Sequence, residues 1–412
     1  MNVVYNILAY LVWFLATYWV VLLLLIVVSG KEKLFEKKKF TYKNYPRVSV
    51  AVPAFNEEKK ISFTIKSLKR IKYKNMEFII INDGSSDKTS QVVTKTIAGD
   101  SRFVFIDRKE NKGKAASLNE AISIATGKFV ATMDADSVVE PNIFMKVLPH
   151  FENKKTAAVT VSVAVKNPKT FLHKIFDLEY IVGLSLFLKL FSLVDAVFVT
   201  PGPFSIYRTS AIKEIGGFDE NNITEDLEIA YRLQKARYKI DNCLDAKVYT
   251  IIPPKFKDLC IQRKRWYSGA IQTLMKHNKM IGRKKYGTFG YFVLFNYSLI
   301  FLGMILFIGS LYLGATNIFN NLIYISQTNF NFLEQLKYLQ FDILATGQIS
   351  LLGFIALGTT MLTAVVGLVL TKTKISEKKL GLLGYPLLFF LYQFFWILSV
   401  VAVIRGKKIK WR

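Results

Sequence analysis

The feature that most constrains this chain is a long run without a charge near its start. Residues 4–28 contain no Asp, Glu, Lys or Arg. At about 1.5 Å per helical residue, such a run can cross a hydrocarbon layer of about 30 Å with some tilt. A cleaved signal peptide is the alternative. The run is long for one, no basic segment precedes it, and Lys31 and Lys33 follow it instead. Residues 291–313, 345–370 and 382–404 have the same apolar character, so a large polar region lies between the first and second candidate spans.

Charge and apolar content are segregated along the chain. The protein carries a formal net charge of +26 although 51% of its 412 residues are hydrophobic. Residues 29–290 hold 46 basic and 27 acidic residues, a net of +19, while residues 291–412 have a net of +7. This apolar content excludes a disordered chain, and two cysteines exclude a disulfide scaffold. Lys31, Lys33, Lys37, Lys38 and Lys39 follow the first run, and Arg283, Lys284 and Lys285 precede the second. The positive-inside rule therefore places the polar region in the cytoplasm of a multi-pass cell-membrane protein. Segment 314–344, with Lys337 as its one basic residue, reads as external, and the loop with Lys372, Lys374, Lys378 and Lys379 as internal. Four full spans would put the basic tail 405–412 outside. Either the rule fails there, or 382–404, interrupted by Gly384, Tyr385 and Pro386, is not a simple span.

The polar region reads as alternating strand and helix. Short apolar runs at 48–53, 78–81, 103–106 and 129–133 are strands. The helices between them run up to Lys69, from a cap at Ser86 or Asp87, and across 113–125. Strands that are apolar throughout predict a parallel sheet covered on both faces. Ligands of such sheets bind at the carboxyl ends of the strands, where Asn56, Asp83 and Asp136 all fall. Segment 171–193 is apolar but broken by Lys174, Asp177, Glu179 and Lys189. It reads as a helix at the membrane interface, with a buried core helix as the alternative. Segment 254–280 is helical, basic and again suited to the interface. The expected division is an N-terminal span in 1–30, a cytoplasmic domain in 45–250, an interfacial helix in 251–290 and about three spans in 291–412.

Several residues are chemically suggestive, and each has a plainer structural reading. Asp134 and Asp136 follow a strand and offer hard oxygens to Mg2+ or Mn2+ on substrate phosphates, or else form a solvated turn. Asp83, in Asn-Asp-Gly-Ser-Ser-Asp, can accept from a base or ribose, or simply shape a tight turn. Glu57 and Glu58 open a helix, where negative charge is favourable in any case. Lys112 and Lys114 flank a glycine before a helix and suit a phosphate, or are solvated. In Thr224-Glu225-Asp226 the threonine can cap a helix while Asp226 acts as a general base. In Gln262-Arg263-Lys264-Arg265-Trp266, Arg265 could neutralise a leaving diphosphate and Trp266 could face a sugar. The alternative is lipid headgroups, the usual partner of a basic helix beside a membrane. Of the basic excess, Lys112, Lys114, Arg263 and Arg265 are expected around a diphosphate. Histidine is scarce (three residues), which disfavours His-based chemistry, and Cys243 and Cys260 lack zinc spacing and read as structural.

Asp83, Asp134-x-Asp136, Thr224-Glu225-Asp226 and Gln262-x-x-Arg265-Trp266, in this order between apolar spans, resemble the D, DxD, TED and QxxRW motifs of family 2 glycosyltransferases. Their processive membrane synthases of cellulose, chitin, hyaluronan and poly-N-acetylglucosamine are the nearest in pattern. The arrangement of one N-terminal and about three C-terminal spans is most similar to the poly-N-acetylglucosamine branch. The resemblance implies an α/β fold: a GT-A (nucleotide-diphospho-sugar transferase) domain with a mixed, mainly parallel sheet, plus transmembrane and interfacial helices. It implies that Pro53, Asn56, Glu57, Asp83, Lys112, Lys114 and Asp134 bind the nucleotide-sugar. Asp134 and Asp136 would hold Mg2+ or Mn2+. Asp226, beside Glu225, would be the base, and Gln262, Arg265 and Trp266 would serve the diphosphate and the acceptor. One departure stands out: hyaluronan and cellulose synthases share a Phe-Phe-Cys-Gly-Ser/Thr type segment where this chain has Thr200-Pro201-Gly202-Pro203-Phe204-Ser205. That difference leaves acceptor and sugar identity open.

The implied activity is a metal-dependent, inverting, processive hexosyltransferase. It would extend a β-linked polysaccharide from a UDP-sugar, with UDP-N-acetylglucosamine or a related hexose as donor, and move it across the membrane. A non-processive family 2 transferase adding one sugar to a lipid carrier is the alternative. A transporter or receptor with a nucleotide-binding domain is the reading from another class. The partners expected are the UDP-sugar, the growing polysaccharide, membrane lipid and an accessory membrane subunit. Nucleic acid is not expected, despite the basic total.

Overall fold

The structure, a computed structural model, describes residues 2–36, 38–42, 44–327 and 348–406. Lys37, Lys337 with the rest of 328–344, the start of the 345–370 run and tail residues 407–412 lie outside the described residues.

Eight strands form one sheet: β1 Val48–Ala54, β2 Met76–Asp83, β3 Phe103–Arg108, β4 Phe129–Thr132, β5 Val138–Val139, β6 Thr156–Val165, β7 Ser205–Arg208 and β8 Lys239–Thr250. Their order is β3-β2-β1-β4-β7-β6-β8-β5. The first four are parallel. Strand β7 runs antiparallel to both β4 and β6, β6 pairs parallel with β8, and β5 closes the edge antiparallel to β8. Every residue of β1 and β2 is buried, which explains why those segments are apolar without alternation. Glu77 is tolerated inside β2 because Ser49, Thr126 and Arg47 all donate to it. That support holds its carboxyl down at about 2.

The helices of the parallel half follow the sequence reading. They span Ile61–Lys69, Thr89–Ile97 and Lys114–Ile124. Asp87 rather than Ser86 serves the second, accepting from the Thr89 amide at 2.9 Å. The antiparallel half was not legible as strands. Strand β8 carries Lys239, Asp241, Asp245 and Lys247, and its pairing with β6 is broken by a register shift between Val161 and Ser162.

Among the described residues, four helices are long and apolar enough to cross a membrane, at Val3–Ser29, Thr288–Asn320, Gly353–Leu370 and Leu387–Ile404. The 382–404 run is not one helix. A short helix, Lys379–Gly384, ends before Pro386, and a new helix runs over Leu387–Ile404. Proline has no amide to donate, so it sits at the start of the new helix rather than inside it.

Segment 171–193 is buried along most of its length. It comprises an α-helix over Phe171–Glu179, a π-helical stretch Tyr180–Phe187 and a further turn Leu188–Leu193. Its charged residues are inside as well. Asp177 is 1% exposed, receives Lys378 Nζ at 2.5 Å and accepts from the Val165 amide. Gly381, Gly384 and Gly367 allow the C-terminal helices to approach it at Lys174, Ile175 and Val182.

The helix Phe256–Lys276 docks on the start of the helix Glu225–Lys235 through Gly269, where an added Cβ would collide with the Thr224 side chain. Gly269→Ala would gain about 0.5–1 kcal/mol of helix propensity but incur an overpacking cost of about 1–3 kcal/mol. The collision wins, so G269A is expected to lower the Tm of the detergent-solubilised protein. An unchanged or higher Tm would show that this contact does not dock the helix.

Candidate active site

The carboxyl ends of β1, β2 and β4 face the start of the helix Glu225–Lys235, and the polar groups of the site meet between them. At its centre is Lys114, the first residue of its helix. Its Nζ lies 2.8 Å from Asp134 Oδ1 and 2.7 Å from Glu225 Oε1. Burial alone would push this ammonium down. The carboxylates of Asp134, Glu225 and Asp226 more than offset that and hold it firmly protonated.

The segment Thr200-Pro201-Gly202-Pro203 closes one side. Thr200 donates from its amide and its hydroxyl to the Asp226 carbonyl, at 3.0 and 2.8 Å. The Gly202 amide donates to Asp226 Oδ2 at 3.2 Å, and the Gly202 carbonyl accepts from the Asp134 amide at 3.2 Å. A Cβ at 202 would sit 2.8 Å from Lys114 Nζ and 2.9 Å from Asp134 Oδ2, so a larger residue would displace that ion pair. This loop therefore ties Asp134 to Asp226, and its departure from the Phe-Phe-Cys-Gly pattern sits against both.

Asp226 is partly buried, and its carboxyl is pushed up to about 6. Burial is the largest cause, followed by the charge of Glu225; Lys114 and Arg265 pull the other way. Thr224 holds the cap position of this helix but makes no capping bond. No amide of the first turn donates to its hydroxyl, which instead donates to Asn222 Oδ1 at 3.1 Å, and this corrects the capping expectation.

A second carboxylate group lies across the site. Lys60 Nζ is shared between Glu57 Oε2 at 3.2 Å and Asp136 Oδ2 at 3.5 Å. Asp136 is nevertheless raised above its ordinary value, first by burial and then by Asp134, with Lys60 only partly compensating. Glu57 is raised for the same kind of reason. Among the described residues no group of three or more His, Cys, Asp or Glu could hold a metal ion by itself.

Asp83 is placed differently from a free ligand group. It is 1% exposed and accepts from the Lys112 and Gly113 amides at 2.9 and 2.8 Å and from Arg108 at 2.9 Å. It thus shapes the 110–113 loop. Asn56, at φ +55°, accepts from the Ser86 amide, while Pro53 is buried within β1. A cleft of about 160 Å3 opens beside Glu225, walled by Lys112 and Gly113 on one side and Glu220, Asn221 and Asn222 on the other.

Gln262 Oε1 is buried and has no hydrogen-bond partner among the described residues. Trp266 is partly exposed. Arg263 corrects the expectation that it serves a diphosphate. It is 2% exposed and locked to Glu179, so its charge is already spent. Lys60 and Arg108 escaped sequence reading, and Glu179 was read only as a charge interrupting segment 171–193. Arg108 had a signal, since it ends β3 opposite Asp83 once the strands are in register. Cys243 and Cys260 are free thiols, and burial pushes both up.

The description "Glycosyl transferase family 2" belongs to the family model that matches residues 49–216. The chain is 30% identical over 277 residues to the poly-beta-1,6-N-acetyl-D-glucosamine synthase of Staphylococcus epidermidis, covering 66% of this chain and 67% of that one. It is 29% identical over 275 residues to the synthase of the same name from Staphylococcus aureus, covering 66% of each. It therefore spans about two thirds of the length of these relatives. A mannosyltransferase from Pyrobaculum calidifontis, solved in complex with GDP-Man and Mn2+, shares the fold. Its TM-score is 0.64 at 17% identity, over 98% of this chain and 100% of that one.

Removing Lys114 tests the arrangement directly. Lys114→Met would leave Asp134, Glu225 and Asp226 facing one another without their shared cation, and breaking a buried pair costs roughly 3–5 kcal/mol. The Asp226 carboxyl, which Lys114 pulls down, would then rise further above its unfolded value. The folded state would bind more protons than the unfolded state, and its stability would fall as pH rises through that window. The Tm deficit of K114M is expected to be larger at pH 8 than at pH 5. An equal deficit at both pH values would show that Lys114 does not balance these carboxylates.

Proposed function

We propose, because this chain belongs to glycosyl transferase family 2 and to its poly-β-1,6-N-acetylglucosamine synthase branch, that it elongates a β-linked polysaccharide of N-acetylglucosamine from a UDP-sugar. We place residues 45–250 as its catalytic domain on the cytoplasmic side. The helix of 251–290 lies at the interface, and the apolar helices carry the product outward. The observation that carries this reading is Asp226: a partly exposed carboxyl raised to about 6, fixed by the Gly202 amide, and set beside Lys114 and Asp134.

A base near neutrality is what deprotonation of a sugar hydroxyl requires. Asp226 takes the proton of the acceptor hydroxyl, and the acceptor oxygen attacks the anomeric carbon of the donor. The bond from that carbon to the diphosphate oxygen breaks, and UDP leaves from the opposite face. Attack from one face and departure from the other turns an α-linked donor into a β-linkage. Lys114 pairs with both Glu225 and Asp134 and lowers the pull of their charge on Asp226. Arg265 contributes positive charge toward the leaving group, and Trp266 supplies an apolar surface for the acceptor ring.

Asp134 and Asp136 fit Mg2+ or Mn2+, which take carboxylate oxygens together with substrate phosphates and water. Two carboxylates, one left under-compensated by Lys60, make such a donor set. Held by Asp134 and Asp136, such a cation would supply positive charge to offset the charge developing on the departing UDP. Among the residues expected to bind nucleotide, Asp83 serves through the Lys112 and Gly113 loop it holds, and Asn56 and Glu57 flank the opposite wall.

The test is UDP release and product length with UDP-N-acetylglucosamine in purified membranes supplied with Mg2+ or Mn2+. Polymer is expected, whereas single-sugar lipid products would favour the non-processive alternative and overturn processivity. Asp226→Asn should lower turnover by about 100-fold or more while donor binding persists. The proton on Asp226 blocks the base, so kcat/KM should fall below about pH 6. Arg265→Gln removes a charge that holds the Asp226 carboxyl down, so this acid limb should move to higher pH. An acid limb that R265Q leaves in place would exclude Asp226 as its source.

A further inference from the structure

We propose that Arg263, Glu179 and Tyr392 form a positioning device that fixes Trp266 for the acceptor sugar and ties it to the last apolar helix. The proposal rests on the reading of Trp266 as an acceptor surface. Its evidence is a buried cluster drawn from three separate elements.

Arg263 Nη1 and Nη2 donate to Glu179 Oε1 and Oε2 at 2.7 and 2.6 Å, a two-pronged contact that fixes the plane of the guanidinium. The Tyr392 hydroxyl, from the helix Leu387–Ile404, donates to Glu179 Oε1 at 2.5 Å. The guanidinium carbon then lies 4.5 Å from the centre of the Trp266 ring and 4.8 Å from that of Phe176. Tyr180 flanks the same indole at 6.4 Å between ring centres. Glu179 is the last residue before the α-helix widens into its π-helical stretch, so its backbone position is set by an irregularity in the helix. The last helix adds two further contacts with the motif helix: Trp396 stacks on Tyr267 at 4.7 Å, and Ser399 donates to the Lys264 carbonyl at 3.4 Å.

Stability alone does not explain this cluster. A buried ion pair gives little net stability over well-packed apolar side chains, because both ions must be desolvated. What it adds is orientation. The planar fork of Arg263 allows one register with Glu179, and the indole is attracted to the face of that plane. Trp266 is left partly exposed with one of its surroundings fixed, so its free surface points in one direction. Lysine would keep the charge and lose the fork. Arg263 and Glu179 are thus positioning residues acting through Trp266, and Tyr392 transmits the placement of the last helix to the acceptor site.

The test compares R263K, R263M and Y392F with wild type in the full-length protein, using UDP-N-acetylglucosamine and a short β-1,6-linked N-acetylglucosamine oligosaccharide as acceptor. The expected result is an acceptor KM raised at least fivefold and a shorter mean product in all three, with the donor KM within twofold. R263K should resemble R263M. If R263K restores the acceptor KM and product length, or if every variant loses only Tm and total activity in proportion, the proposal is overturned. A second readout is independent of activity: the Trp266 emission, taken as the difference from W266F in each background. A spectral shift in Y392F and R263K is expected. If wild type makes no product at all, the proposed function fails, and the emission decides the positioning claim: a shift supports it and an unchanged spectrum overturns it.

Discussion

The site depends on one half-buried ammonium. Lys114 touches Asp134 at the end of β4 and Glu225 at the start of a helix more than 100 residues later. Three acidic side chains and a lysine in so small a volume would repel without this cation, and with it they define a fixed crevice. The Gly202 loop makes the same connection through the backbone, bonding Asp134 on one side and Asp226 on the other. Side-chain charge and backbone geometry therefore agree on where the carboxyl of Asp226 must sit. Neither could do so alone, since a lysine stem is flexible and a glycine loop is permissive.

The membrane-facing half is organised by the same rule in a drier setting. Segment 171–193 carries Asp177 and Glu179 into a region covered by apolar helices, where unpaired charge is very costly. Each carboxylate meets a cation from elsewhere, Lys378 for one and Arg263 for the other. The charges that make this segment too interrupted to be a span are the ones that clamp it between the sheet and the C-terminal helices. Interfacial amphipathicity and ion-paired burial look alike in one dimension, because the partners are about 80 and 200 residues away.

Legibility followed the range of the interactions. Strands β1, β2 and β4 are buried throughout and β3, at the sheet edge, is apolar for most of its length, so composition alone revealed them, and the residues at their ends came with them. Strand β8 alternates charged with apolar residues and relies on pairing with β6, which no local pattern records. The motif carboxylates could be found because they follow strand ends or open a helix. Their partners could not, with Lys60 serving Asp136 and Arg108 serving Asp83. Arg263 was misread for the same reason. Its neighbours in the chain suggest a diphosphate, and only the approach of Glu179 shows that its charge is already balanced.

That balance bears on what remains of the basic excess in the catalytic region. Cations locked to buried carboxylates have little charge left for an anionic ligand, which applies to Arg263 on Glu179 and Arg108 on Asp83. Arg265 has no ion-pair partner among the described residues, and Lys112 lines the cleft. On the acidic side the ledger runs the other way. Asp134 has Lys114, whereas Asp136 must share Lys60 with Glu57 and stays raised. The unmet demand at this end of the crevice is for positive charge near Asp136, which suits a divalent cation carried in with a diphosphate better than another fixed side chain. A lysine or arginine placed there permanently would compensate the carboxylates in the empty site and so weaken the preference for the metal-bound donor over bare protein. On the proposed function, an under-compensated Asp136 would keep that electrostatic gain for donor binding.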